Sequence, residues 1–412
     1  AVFRIVDQRN VRISGYGATV RMLKPEYDGE WRHGFAIRGS TNVHVEGIAS
    51  NDSGGDGFII AWGKKKKYAE NVVLLDVSAD NNRRQGLSIV SGRSITVRNA
   101  RFTNTNGTPP QAGIDIEPDG NNDLVEDILL ENIYTEGNVG PGIKLDLRRL
   151  GGPAARTVSV KIIDHTDVRS SQGIFFSKLE MGDFNLTGHI EVVRPLSIEP
   201  RTSAIVSFNY DTLGPRIDVY NPVSVRPNEA GTRSVSLGAA FLVYRPSSAV
   251  GAGDIGNIHF HNPVIVDNRS RANVTNYFYF RDETRRQPRG SVKNVSIKGT
   301  IKGIGQRNPG VANMVDFAGA GRIDDAGGLL VENVQDGTFH LTVASYVRTV
   351  SNTGSTRKSE VTLGPVPIGW PAITFKVTEP QLLRIVPDRS SRILHCSLAD
   401  AQHVQSREVG AQ

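Results

Sequence analysis

Apolar and polar positions alternate along this chain in short blocks rather than long runs. Six blocks share one template: Gly34-Phe-Ala-Ile, Gly57-Phe-Ile-Ile, Gly86-Leu-Ser-Ile, Gly113-Ile-Asp-Ile, Gly142-Ile-Lys-Leu and Gly173-Ile-Phe-Phe. Successive glycines are 23, 29, 27, 29 and 31 residues apart. Weaker echoes follow at Ala204-Ile-Val-Ser and Ala240-Phe-Leu-Val. A second block recurs between them, as Asn42-Val-His-Val, Asn71-Val-Val-Leu, Ser94-Ile-Thr-Val, Asp127-Ile-Leu-Leu, Asn257-Ile-His-Phe and Asn294-Val-Ser-Ile. Asn10-Val-Arg-Ile reads as an early copy. Period-2 alternation is the mark of strands with one buried face.

Two or three short strands per repeat of about 20 to 30 residues predict one turn of a coil, each turn burying its inward side chains against the next. Leucine-rich repeats would show regular Leu spacing, propellers four strands per longer period, and helical repeats a 3.6 period. None of these fits. The expected fold class is all-β: a right-handed parallel β-helix (solenoid) with a less regular C-terminal β segment. On these repeats, roughly residues 1–330 resemble the pectin-lyase-like superfamily of pectate lyases, polygalacturonases and phage tailspikes. The resemblance implies the fold and leaves the chemistry open, because this fold hosts several activities. Residues 1–350 are expected to form the β-helix, 351–396 terminal rungs or a small β appendage, and 397–412 a polar tail. The first coil shows no amphipathic helix before it and is expected to be uncovered by the chain's own residues.

Composition changes this picture little. The 412 residues include 43 Gly and 20 Pro, with 38% apolar and 22% charged residues, which suits a turn-rich soluble protein. The single cysteine, Cys396, excludes an internal disulfide. No apolar stretch has transmembrane length. The N-terminal AVFRIVDQRN lacks a signal-peptide layout. The resemblance implies a secreted, periplasmic or virion-associated location, although no signal is visible. The formal net charge of +6 favours an anionic partner.

Stacking the repeat glycines predicts the chemistry. Inward side chains are Phe58, Leu87, Ile114, Ile143 and Ile174. One outward column reads Ala36, Ile59, Ser88, Asp115, Lys144, Phe175, and the next reads Arg38, Ala61, Val90, Glu117, Asp146, Ser177. Asp115 is expected to face Lys144, and Glu117 to face Asp146. Like charges placed opposite each other are unfavourable in a sheet. A Glu117–Asp146 pair therefore calls for a shared proton, a cation or a substrate, and one member is expected to have a raised pKa. Catalytic candidates are Asp115, Glu117, Asp146 and Lys144; substrate-binding candidates are Asp56, Arg84, Gln85, Arg148, His33 and Asp119. Two other features compete. Lys64–Lys67, with Trp62 and Tyr68, reads as a solvated turn or a guide for an anionic polymer. Asp164-His165-Thr166-Asp167 has the residue types of a metal or proton-relay cluster, but lies on a later part of its rung.

Three functions fit. A glycoside hydrolase needs two carboxyl groups about 5 to 9.5 Å apart, a spacing that Asp115, Glu117 and Asp146 satisfy by strand geometry. It needs no cofactor, and it is placed ahead of the others. The characteristic Asn-Thr-Asp, Gly-His-Gly and Arg-Ile-Lys motifs of polygalacturonases are absent, however. A polysaccharide lyase similar to β-helix lyases would take Lys144 as base, Arg84 or Arg148 as anion clamp, and Asp115, Glu117 and Asp146 as Ca²⁺ ligands. A lysine flanked by carboxylates is a poor base unless a cation draws their charge away. The third reading is a non-enzymatic tailspike- or adhesin-type glycan binder. The expected partner is a polysaccharide, taken to be anionic, bound by a monomer or homotrimer. Nucleic acid is not expected, because the basic residues are scattered without a recognised motif.

Overall fold

The structure is a computed structural model. It describes residues 1–283 except 152–156, 179–185, 233–236, 250–252, 268 and 270–272; beyond 283 it describes little more than the course of the strands. Two long sheets run along the coil. The first, 13-stranded, takes one strand from each turn: Phe3–Val6, Phe35–Arg38, Phe58–Ala61, Gln85–Ile89, Ala112–Ile116, Ile143–Asp146, Ile174–Ser177, Ile205–Phe208, Phe241–Arg245 and Asn276–Asp282, then three more. The second, 15-stranded, runs through Arg9–Arg21, Thr41–Asn51, Ala69–Leu75, Gly92–Thr103, Val125–Glu136 and Val158–Val168 onward. Apart from the last strand of the first sheet, these strands pair in parallel and form a parallel β-solenoid.

The repeat glycine has a steric cause. A Cβ at Gly57, Gly86, Gly113 or Gly142 would lie 2.6–2.8 Å from the carbonyl oxygen of the equivalent glycine one turn on. Main chain approaches main chain there, and a side chain would also run into buried groups such as Ala79 at Gly57 and Phe102 at Gly86. Phe35, Phe58, Leu87, Ile114, Ile143 and Ile174 stack inside the coil in register, each essentially without solvent contact. Burying a side chain of this size stabilises the fold by about 1.5–3 kcal/mol.

The second block has a different cause. Asn10, Asn42, Asn71, Ser94 and Asp127 all sit at φ between 52° and 57°. That left-handed conformation suits Asn and Asp, whose short side chains bond locally. Their side chains also form a ladder: Asn42 donates to Asn10 (2.9 Å) and Asn71 to Asn42 (2.8 Å).

Within residues 1–30 the one helical element is the 3₁₀ turn Lys24–Glu26, which buries no side chain. Phe3 stacks on Phe35 at 4.7 Å and is 39% exposed. Toward the other end, Phe339–Val343 joins the first sheet and then pairs antiparallel with Ile373–Val377. Leu329–Val331, Leu382–Asp388, Ile393–Ala399, Ser359–Leu363 and Thr349–Asn352 form a separate five-stranded antiparallel sheet. The rest of the expected polar tail lies outside the described residues.

Candidate functional site

The outer face of the first sheet changes character along the coil. One column runs Arg4, Ala36, Ile59, Ser88, Asp115, Lys144, Phe175, Val206, Leu242. The early turns carry a small covered apolar patch of Ala36, Ile59, Ala61 and Val90. The later turns carry half-buried rings, Phe175, Phe208 and Tyr244, with centroids 5.6 and 6.0 Å apart. Ionisable groups concentrate between these two stretches.

Lys144 is central. Its Nζ lies 2.9 Å from Asp146 Oδ2, 3.7 Å from Glu117 Oε1 and 3.8 Å from Asp115 Oδ1. Arg148 grips Asp146 with a two-pronged contact, Nε to Oδ1 and Nη2 to Oδ2, each 2.7 Å. Gln85 donates from Nε2 to Asp115 Oδ2 at 2.8 Å, and its Oε1 accepts the Ala112 amide at 3.0 Å. Arg84 reaches three carboxylates: Glu30 at 3.2 Å, Glu117 at 3.4 Å and Asp56 at 3.8 Å. Asp56 is wholly buried, and His33 Nδ1 lies 3.3 Å from its Oδ2 while accepting its backbone N–H at 3.1 Å. Of the residues singled out in the sequence, nine therefore join one network. Asp119 stands at its rim, exposed and paired with Arg149 at 3.7 Å.

Burial and charge set the protonation. Burial pushes the Asp115 carboxyl well above the usual carboxylate range. Lys144 opposes this, while the like charge of Glu117 adds to it. Burial also acts upward on Asp146, but the Arg148 hydrogen bonds and the Lys144 charge outweigh it and hold that carboxyl at about 2. Burial pulls the Lys144 ammonium down, yet Asp115, Asp146 and Glu117 together raise it above its ordinary value. Glu117 and Asp146, expected to face each other as a like-charge pair, both contact the Lys144 ammonium, and the raised carboxyl is Asp115, two residues before Glu117. A buried carboxyl pushed upward thus stands close to a salt-bridged carboxylate held low, the kind of contrast that acid–base chemistry uses.

The fit to Ca²⁺ is poor. Among the described residues no group of three or more His, Cys, Asp or Glu side chains is arranged to hold a metal ion. The three carboxylates proposed as ligands converge on the Lys144 ammonium, which stands where such an ion would.

Sequence reasoning missed Glu30 as a member. It lies in the turn before His33, and its contact with Arg84 spans two coils. Lys64–Lys67 forms a turn whose amides at Lys64 and Lys65 both donate to Asp7 at 3.1 Å. Beside it Trp62 is 41% exposed, flanked by Arg38 and Lys67. In the Asp164–Asp167 string, His165 and Asp167 point into the coil. Thr135 Oγ1 lies 2.9 Å from His165 Nε2 and donates to Asp167 Oδ1 at 2.7 Å, all three buried.

No protein-family model matches the chain. The Bacillus subtilis (strain 168) protein YclG, itself described as uncharacterized, is 25% identical over 162 residues, 35% of this chain and 28% of that protein. The matched stretch is thus under a third of that relative's length. Among solved structures, a double-mutant tailspike protein of E. coli bacteriophage HK620, in complex with a pentasaccharide, aligns with TM-score 0.47 at 10% identity. The alignment covers 95% of this chain and 75% of that one. The Yersinia enterocolitica Family 28 exopolygalacturonase aligns with TM-score 0.36 at 13% identity over 66% of this chain and 47% of that one. By its own strand pairing, the chain is a parallel β-solenoid.

Proposed function

We propose that the ionic centre on the outer face of the first sheet cleaves a polysaccharide by hydrolysis, with Asp115 as general acid and Glu117 as its carboxylate partner. One observation carries this reading: a buried Asp115, whose carboxyl burial pushes upward, lies beside a Glu117 already paired to Arg84 and Lys144. Glycosidase carboxyl pairs stand about 5 to 9.5 Å apart. A sugar entering between the two parts them, and the proton stays with Asp115, the more buried. Asp115 then gives that proton to the glycosidic oxygen as the carbon–oxygen bond breaks. Glu117 takes a proton from the water that adds to the sugar. Lys144 and Arg84 offset the negative charge left on the pair. Asp146, clamped by Arg148, holds Lys144 in place.

A lyase with Lys144 as base is disfavoured, because the surrounding carboxylates strengthen its hold on its proton. Non-enzymatic glycan binding is the second reading. It is favoured by the way each cation of the centre is already matched by carboxylates, as in a static ladder. An acidic polysaccharide suits the net charge of +6, and a neutral one suits the matched charges of the centre. Incubation with a panel of acidic and neutral polysaccharides tests all three readings. New reducing ends without unsaturated uronates support hydrolysis, ultraviolet-absorbing unsaturated ends a lyase, and binding without products the second reading.

A further inference from the structure

We propose that Gln85 is a positioning residue: it keeps any proton on the Asp115 carboxyl at Oδ1, the oxygen turned toward Lys144. The proposal deepens the reading of Asp115 as an acid and rests on it.

The argument is one of donors and acceptors. A carboxamide has one accepting oxygen and one donating nitrogen. Gln85 is wholly buried, so both ends must be satisfied within the protein. The Ala112 backbone N–H points at it at 3.0 Å, and a backbone N–H can only donate. The Gln85 oxygen must therefore face Ala112; the flipped amide would set N–H₂ against N–H. Its NH₂ is left to face Asp115 Oδ2 at 2.8 Å, and Oδ2 must accept. A proton on Oδ2 would collide with this donor. Oδ1 is different. It accepts no hydrogen bond, and the Lys144 ammonium is 3.8 Å away, beyond hydrogen-bonding reach, because Asp146 draws it to 2.9 Å.

Ala112 and Gln85 are register partners in adjacent strands, so the backbone ladder itself holds the amide in place. Gln172 stands at the same place before its own repeat glycine, yet it donates to Thr202 Oγ1 at 3.0 Å and touches no carboxylate of the centre. It is the natural control.

The test needs no substrate. Carboxyl ¹³C NMR titration of the full chain follows Asp115 directly, assigned by its loss in Asp115→Asn. A donor to the ionised carboxylate lowers its pKa. Gln85→Met keeps the side-chain volume and removes that donor, so the Asp115 midpoint is expected to rise by about one to two pH units. Gln172→Met is expected to leave it unmoved. Asp115→Asn supplies a second measurement should Gln85→Met not fold. Its amide oxygen can take the place of Oδ2 and its NH₂ the place of protonated Oδ1, so the variant is expected to melt at or above the wild-type temperature. An unmoved Asp115 midpoint in folded Gln85→Met overturns the proposal, and so does an ordinary carboxylate midpoint in the wild type. Marked destabilisation by Asp115→Asn contradicts it as well. A shifted midpoint in a protein that cleaves no polysaccharide leaves the positioning role standing and removes only the hydrolase reading.

Discussion

Two polar clusters lie in neighbouring turns of this coil, one on each side of its wall. Outside the first sheet, Asp115, Glu117 and Asp146 meet Lys144, Arg84 and Arg148. Inside, Thr135, His165 and Asp167 meet one another and no cation. Both clusters are largely removed from water, but the outcome differs. The outer one keeps separated charges: Asp146 is held at about 2 while Asp115 is pushed up. In the inner one, burial drives both groups toward neutrality, raising Asp167 to about 7 and lowering His165 to about 3. Desolvation is common to both, and nearby opposite charge decides whether a group stays ionised. Buried aspartate thus enters an ionic network on one side and a structural hydrogen-bond ladder on the other.

Substitutions can break this contrast, and the largest expected effect is on activity. Asp115→Asn and Glu117→Gln should each reduce turnover by about 10²–10⁴-fold, the usual contribution of a positioned proton donor or acceptor. Thr135→Val should leave turnover unchanged. Kinetics on any polysaccharide the wild type cleaves will decide. Next in size is stability. Lys144→Ala leaves Asp146 and Asp115 without their shared cation and should cost about 3–5 kcal/mol in urea unfolding at neutral pH. A loss below about 1 kcal/mol would mean that the ammonium contributes little.

The inner cluster predicts opposing pH slopes. Asp167, raised above its unfolded value, contributes stability that is complete below about pH 4 and lost as pH rises toward about 7. His165, lowered, contributes stability that is complete above about pH 6.5 and lost as pH falls toward about 3. In the wild type the two largely cancel between about pH 4 and 6.5. Asp167→Asn should expose a stability that rises with pH across that window, and His165→Leu one that falls. Parallel slopes in the two variants would show that the groups are not neutralised by burial. The smallest effect belongs to the rim: Asp119→Ala should change stability by no more than about 0.5 kcal/mol and leave turnover intact.

The contrast also shows what the sequence makes legible. Asp115 opposite Lys144 could be read directly, because the glycine column fixes the register and period 2 fixes the face. The inner pair could not. In Val158–Val168, Val160 and Ile162 point inward, and simple alternation would then send His165 and Asp167 outward. Asp164 adopts φ 54°, which bends the strand and shifts the alternation by one residue. Asn132, at φ 52°, does the same one turn earlier and brings Thr135 inside. Glu117 lies just past the end of Ala112–Ile116, its N–H still bonded to Ile89 O at 3.1 Å, and its carboxylate meets Arg84 and Lys144, contacts that register alone does not give. The partners of Asp56 and Arg84 lie in turns, whose folding no periodicity records.

The most direct test of the account is a paired assay of the wild type and Asp115→Asn on the polysaccharide panel, measuring bound glycan and released reducing ends together. The account predicts that the wild type releases ends from at least one polysaccharide, and that Asp115→Asn binds that polysaccharide with little change in affinity but releases almost none. Full release by Asp115→Asn would contradict it and place the chemistry away from this centre.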